Sequence, residues 1–172
     1  MEFCIRRAGQ NDAPVLAEIL TLSWKAAYVH ILPPAELETA ANQGRYTTVF
    51  TAMLQNPANK FLIAHSGDIP CGMLLYCPAR NTDLSDYAEI VALYTLPEYW
   101  GCGLGKALTK MALDEIKTSF SGIELWTFRD NARARRFYEK FGFYPDGKQK
   151  IENFSNKPWS VRYINPLSYL PG

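Results

Sequence analysis

The chain has 172 residues, 48% apolar and 20% charged, a balance that fits a globular protein and excludes a disordered or fibrous one. At that length it is most simply one domain, spanning residues 1–172. Its 18 Lys and Arg against 17 Asp and Glu leave a formal charge of +1, so no global field draws it to nucleic acid or to an acidic membrane.

In chain order, "FCIRRA" alternates as a first strand, and "NDAP" then supplies a capping residue and an early proline for a helix carrying Val15, Leu16, Ile19 and Leu20 to about Tyr28. Pro33 and Pro34 break that helix, and one or two further helices are predicted up to about Leu54. "KFLIAH", the turn "SGD" and "IPCGMLLYC" read as a hairpin, with Pro70 and Gly72 marking an edge or a bulge where its second strand starts. "AEIVALYTL" is the strongest strand signal, stopped by Pro97. A glycine-rich stretch follows. Leu104, Leu108, Met111 and Ala112 then recur at helical spacing, with Gly122 expected to end that helix before "IELWTF" resumes with period two. Asp130 or Asn131 caps a last helix bearing Ala134, Phe137, Tyr138 and Phe141, terminated by Gly142. The tail "KQKIENFSNKPWSVRYI" predicts two strands around a turn at Ser155 to Pro158. The pattern is that of an α+β fold.

Cys4, Cys71, Cys77 and Cys102 contain no CxxC pair, and His30 and His65 complete no metal-ligand spacing, so free thiols and no metal are expected. Arg6 and Arg7 precede any apolar run long enough for a signal peptide, and no stretch approaches the length of a membrane span. The expectation is a cytoplasmic protein with no nucleic-acid or membrane partner.

The stretch "PEYWGCGLGKAL" places Gly101, Gly103 and Gly105 between a strand and a helix, where unpaired N–H groups at the positive end of the helix suit a phosphate. Neither common phosphate fingerprint fits. In G-x-G-x-x-G the third glycine is replaced by Lys106 or Leu108, and in the P-loop Trp100 and Ala107 stand at required positions. What remains, W-G-C-G-L-G after "ALYTLPEY", resembles the acyl-CoA pyrophosphate loop of the GCN5-related N-acetyltransferase (GNAT) family. Trp100 takes the position usually held by Arg or Gln, which in the family mainly contributes backbone, and Gly103 and Gly105 take the two small positions. "ELWTFRDNARARRFYEKFGF" (124–143) is similar to the strand and helix that follow in that family, with its pattern complete at Asn131, Ala134, Phe137, Tyr138, Glu139, Lys140, Gly142 and Phe143. "SWKAAYVHILP" near the N-terminus also resembles members of the family.

The resemblance implies a mixed, mostly antiparallel, twisted sheet of about seven strands flanked by about four helices. It implies acetyl-CoA as co-substrate, held by Leu93, Tyr94, Thr95, Trp100, Gly101, Cys102, Gly103, Leu104, Gly105, Lys106, Asn131 and Tyr138. The pantetheine arm would lie along the end of "ALYTL", and a backbone N–H at Leu93 or Thr95 would polarise the thioester carbonyl. Tyr138 matches the phenol that protonates the departing thiolate, and Glu89 matches a position where relatives carry a carboxylate base. Each has a plainer reading, Tyr138 as a core aromatic and Glu89 as a strand-end residue, and Asn131 equally suits a helix cap. Arg133, Arg135 and Arg136 cluster on the polar face of the last helix, a run that suits a solvated face or, for one of them, contact with a phosphate of the nucleotide. Trp24, Tyr28 and Tyr46, with Phe154 and Trp159, are candidates for the acceptor wall, where cation–π attraction would favour an ammonium. Glu36, Glu38 and Glu152 would favour a polyamine or another cationic amine. Direct acetyl transfer to a small-molecule primary amine is the expected activity. A protein acetyltransferase acting on an N-terminus or lysine, and a non-catalytic acyl-CoA-binding module, stay open beside it, as does a homodimer.

Overall fold

The computed structural model describes residues 2–167. Its seven strands are β1 (Cys4–Arg7), β2 (Lys60–Ser66), β3 (Ile69–Pro78), β4 (Tyr87–Thr95), β5 (Gly122–Phe128), β6 (Tyr144–Ile151) and β7 (Trp159–Pro166). They form one sheet in the order β1-β2-β3-β4-β5-β7-β6, and β4–β5 is the parallel pair in an otherwise antiparallel arrangement. The helices are α1 (Ala13–Ala27), α2 (Pro34–Ala40), α3 (Gln43–Leu54), α4 (Leu104–Ile116) and α5 (Ala132–Glu139). This is the mixed, mostly antiparallel α+β architecture the sequence implies.

Both faces of the sheet are covered, which is why β2 and β3 read as nearly continuous apolar runs. On one face Leu16, Ile19 and Leu20 of α1 and Phe50 of α3 pack on Phe61, Ile63, Met73 and Leu75. On the other, Leu104, Leu108, Ala112 and Ile116 of α4 and Tyr138 of α5 pack on Leu62, Leu74, Ile90, Leu125 and Tyr163. Gly72 sets how closely α4 can approach, because a Cβ there would stand 3.0 Å from Leu104 and 3.1 Å from Leu108.

Three local expectations change. The Asp12 carboxylate does not cap α1; it accepts from the Gly9 N–H and pairs with Arg6, which holds its pKa below the ordinary range. Helix α4 ends at Ile116, and Gly122 instead opens β5, where a Cβ would fall 2.3 Å from the Tyr87 ring packed over it. Strand β6 begins at Tyr144, ahead of the predicted tail hairpin. The bulge foreseen near Pro70 is present, as a register shift between Ala64 and His65 opposite it.

A buried ionic cluster fastens the β3–β4 connection to the far side of the sheet. Arg162 of β7, 3% exposed, donates to Asp146 (Nε–Oδ2 2.8 Å), to both oxygens of Asp83 and, at 3.4 Å, to Glu124. Glu124, fully buried on β5, also accepts from Asn81 at 2.8 and 2.9 Å, and desolvation raises its pKa. Asp83 is held well below the usual carboxylate range by the hydrogen bonds of Arg162.

Removing the cation would leave carboxylates crowded without compensation. Arg162→Leu should therefore lose roughly 3–5 kcal/mol at neutral pH. Without the guanidinium the carboxylates take up protons more readily, so the loss should shrink as pH falls from about 8 to about 5. Urea unfolding across that range measures both effects.

Candidate active site

Strands β4 and β5 pair from Tyr87↔Gly122 to Ile90↔Leu125 and part beyond that point. At the same place β4 carries a bulge: Tyr76 of β3 faces Ile90 and Leu75 faces Ala92, so Val91 is the additional residue. Successive N–H groups of a strand point to opposite edges. Leu96 N–H donates to Cys71 O on the β3 side at 2.9 Å, so the N–H groups of Leu93 and Thr95 point the other way, into the opening. The Thr95 carbonyl points there too, and accepts from Ser23 Oγ at 3.0 Å and Trp100 Nε1 at 2.9 Å.

After Pro97–Tyr99, a single 3-10 turn, the backbone passes through Gly101 (φ +81°) and Gly103 (φ +86°), a left-handed conformation that glycine adopts without strain. A Cβ at either would meet nothing within 4 Å, so open space lies over the turn. Gly103 is the N-cap of α4 and offers no side chain, leaving the first-turn N–H groups of Leu104, Gly105 and Lys106 without an intrahelical acceptor. Gly105 lies beneath the Phe137 ring, at 3.4 Å from where its Cβ would be.

These elements enclose a cavity of about 490 Å³ lined by Leu93, Tyr94, Thr95, Trp100, Gly101, Gly103, Leu104, Gly105, Lys106 and Tyr138, all expected from the sequence. Lys106, Arg133 and Lys140 bring positive charge to it, and among the described residues no carboxylate lines it. Cys102 is exposed and outside the lining. A smaller cavity of about 70 Å³ adjoins on the β5 side, lined among others by Tyr28, Val91, Trp126 and Asn131. Leu93, Tyr94, Arg133 and Tyr138 line both cavities and so mark their junction.

Tyr138 is 9% exposed, and its hydroxyl has no hydrogen-bond partner among the described residues. Burial pushes its pKa far above the ordinary phenol value, and nearby Tyr94 adds to this. Asn131 does cap α5, accepting from the Ala134 N–H at 3.2 Å, and it also faces the smaller cavity. Tyr28 donates to or accepts from Tyr94 (3.3 Å) and packs edge-on against Phe128. Trp24 and Tyr46 stack behind Tyr28 and line neither cavity.

Glu89, the candidate base, stands back from both cavities. Its carboxylate is buried and held by the Arg80 guanidinium at both oxygens (2.8 and 2.5 Å), and it lines neither cavity. Of the arginine cluster, Arg135 donates to Tyr163 and to the Arg129 carbonyl, Arg136 is exposed on α5, and Arg133 faces the site. Trp100 contributes more than backbone, since its indole closes the end of the open β4 edge. Ser23 and Trp126 also enter the site; both lie inside family-like stretches, but neither is a position the motif patterns single out.

The sheet thus splits directly above a glycine turn that starts a helix. The sequence model of the acetyltransferase (GNAT) family matches residues 17–143, and the chain belongs to that family. A probable N-acetyltransferase of Mycobacterium tuberculosis is 30% identical over 166 residues, 96% of this chain and 91% of that protein. The mycothiol acetyltransferase of Beutenbergia cavernae is 37% identical over 93 residues, 52% of this chain and 30% of that protein. Among crystal structures, the PaiA N-acetyltransferase of Thermoplasma acidophilum in complex with coenzyme A superposes with a TM-score of 0.75, at 24% identity over 94% of this chain and 98% of that one. The protein is an acetyl-CoA-dependent N-acetyltransferase of the GNAT type.

Gly103→Glu would force a side chain onto a left-handed residue and put negative charge over the turn. It should abolish acetyl-CoA binding while the wild type binds, as measured by calorimetric titration; retained affinity would remove the turn from the phosphate site.

Proposed function

We propose that the larger cavity takes the arm and pyrophosphate of acetyl-CoA and that the smaller one takes a small primary amine, with transfer at their junction. The observation that carries this is the open β4 edge: two outward N–H groups, at Leu93 and Thr95, beside a cavity with three cations and no lining carboxylate among the described residues. Lys106 and the first-turn N–H groups of α4 hold the pyrophosphate. Leu93 N–H, at the junction, polarises the thioester carbonyl, a role that needs a fixed backbone donor and no particular side chain. When bound, acetyl-CoA supplies an activated acyl group.

Tyr138 acts as the acid toward the departing thiolate. Its hydroxyl has no hydrogen-bond partner among the described residues and so is available to donate, and like any phenol it is protonated throughout the neutral range. Among the described residues no carboxylate or imidazole lines the junction, and the acceptor amine loses its proton to solvent.

For the acceptor, the approach from the α1–α2 side favours a small molecule over a peptide. The segment after α1 is tied to the β6–β7 turn, with Ser155 donating to Glu36 and Asn156 Nδ2 donating to Ile31 O at 2.7 Å, so these two segments leave no open groove between them. Glu36, Lys25-paired Glu38 and Lys150-paired Glu152 are engaged outside the cavities, which argues for a monoamine over a polyamine. Tyr28 and Trp126 supply aromatic contact for it.

A panel of small amines assayed with acetyl-CoA tests this reading, and a panel with no turnover would contradict it. With an accepted amine, Tyr138→Phe should lower kcat by about ten-fold with acetyl-CoA affinity unchanged. The wild-type rate should rise with pH toward the amine's own pKa, roughly 10, because the neutral amine is the nucleophile. It should show no alkaline fall from Tyr138 within that range.

A further inference from the structure

Trp100 and Arg133 come from opposite sides of the split sheet and meet across its mouth. Trp100 belongs to the β4 side, its indole fixed by the Nε1 bond to Thr95 O at 2.9 Å. Arg133 is the second residue of α5, on the β5 side, and its guanidinium carbon lies 3.3 Å from the centroid of the Trp100 ring. Both line the larger cavity, and Arg133 lines the smaller one as well. The contact is therefore a bridge over the place where the two strands have lost their hydrogen bonds.

We propose that Trp100 and Arg133 form a strap across the groove that holds the pantetheine arm of acetyl-CoA in place, an inference resting on the assignment of that groove to the donor. Three features suit the pair to this role. Arg133 has no carboxylate partner among the described residues, so the ring is its main attraction. Its half-covered guanidinium feels desolvation, which lowers its pKa from the ordinary value while leaving it charged. Cation–π attraction strengthens as water is removed, so an arm lying beneath the pair tightens the strap that covers it.

Stopped-flow displacement of acetyl-CoA reads the strap directly. Arg133→Ala should raise the dissociation rate about three- to ten-fold, and Trp100→Ala should do the same. The double variant should be no faster than Trp100→Ala alone, because with the ring gone Arg133 has no strap contact left to lose. Arg133→Lys should recover part of the loss, since an ammonium is also drawn to the ring. In the free protein, amide exchange across residues 97–104 should be faster in Arg133→Ala than in the wild type, with Tm unchanged because Arg133 is exposed. An unchanged dissociation rate or unchanged exchange in Arg133→Ala would overturn the strap, as would fully additive effects in the double variant. Failure of the wild type to bind acetyl-CoA would instead overturn the donor assignment, and the strap with it.

Discussion

Strands β4 and β5 are hydrogen-bonded in parallel only as far as Ile90↔Leu125, and the site consists of what the backbone does once that pairing stops. A strand edge buried between two layers cannot keep its donors and acceptors unpaired without cost. The protein meets this in two ways. It closes the far end with side chains, Ser23 and Trp100 both donating to the Thr95 carbonyl, and it opens a cavity in front of the Leu93 and Thr95 N–H groups. The Val91 bulge is part of the same device, since it re-aims β4 where the parting begins.

The split persists because each half of the sheet is anchored separately. On the β4 side, α1 and α3 pack over β2 and β3, and Gly72 allows α4 to seat against the opposite face. On the β5 side, β7 pairs along the full length from Gly122↔Pro166 to Phe128↔Ser160, and the Arg162 cluster ties β5, β7, β6 and the β3–β4 connection together. Arg80 and Glu89 belong with this scaffold: the exposed Arg80 guanidinium grips the buried Glu89 carboxylate at both oxygens, beside Glu124, so that two adjacent carboxylates are each engaged with donors.

Much of this was legible in the sequence where the cause is local. The left-handed turn at Gly101 and Gly103, the start of α4, the Asn131 cap and the placement of Tyr138 on α5 all depend on residues within a few positions of one another. What escaped depends on contacts far along the chain. Nothing near Glu89 announces Arg80 as its bidentate partner, because a strand pattern does not say which loop residue folds back. Gly122 looked like a helix terminator, since a glycine after an amphipathic run usually is one; its role comes from the Tyr87 ring on the neighbouring strand. Trp24 and Tyr46 were plausible wall residues by composition, yet edge-to-face packing sets them behind Tyr28. The Trp100–Arg133 contact joins two motifs that each read as complete alone.

The central claim is that the open edge of β4 receives the arm of acetyl-CoA as if it were a strand. Residue-resolved amide exchange with and without acetyl-CoA tests it most directly. The account requires new protection at Leu93 and Thr95, whose N–H groups face the opening, and little change at Ala92 and Tyr94, whose N–H groups face β3. Binding that left Leu93 and Thr95 exchanging as in the free protein would contradict it.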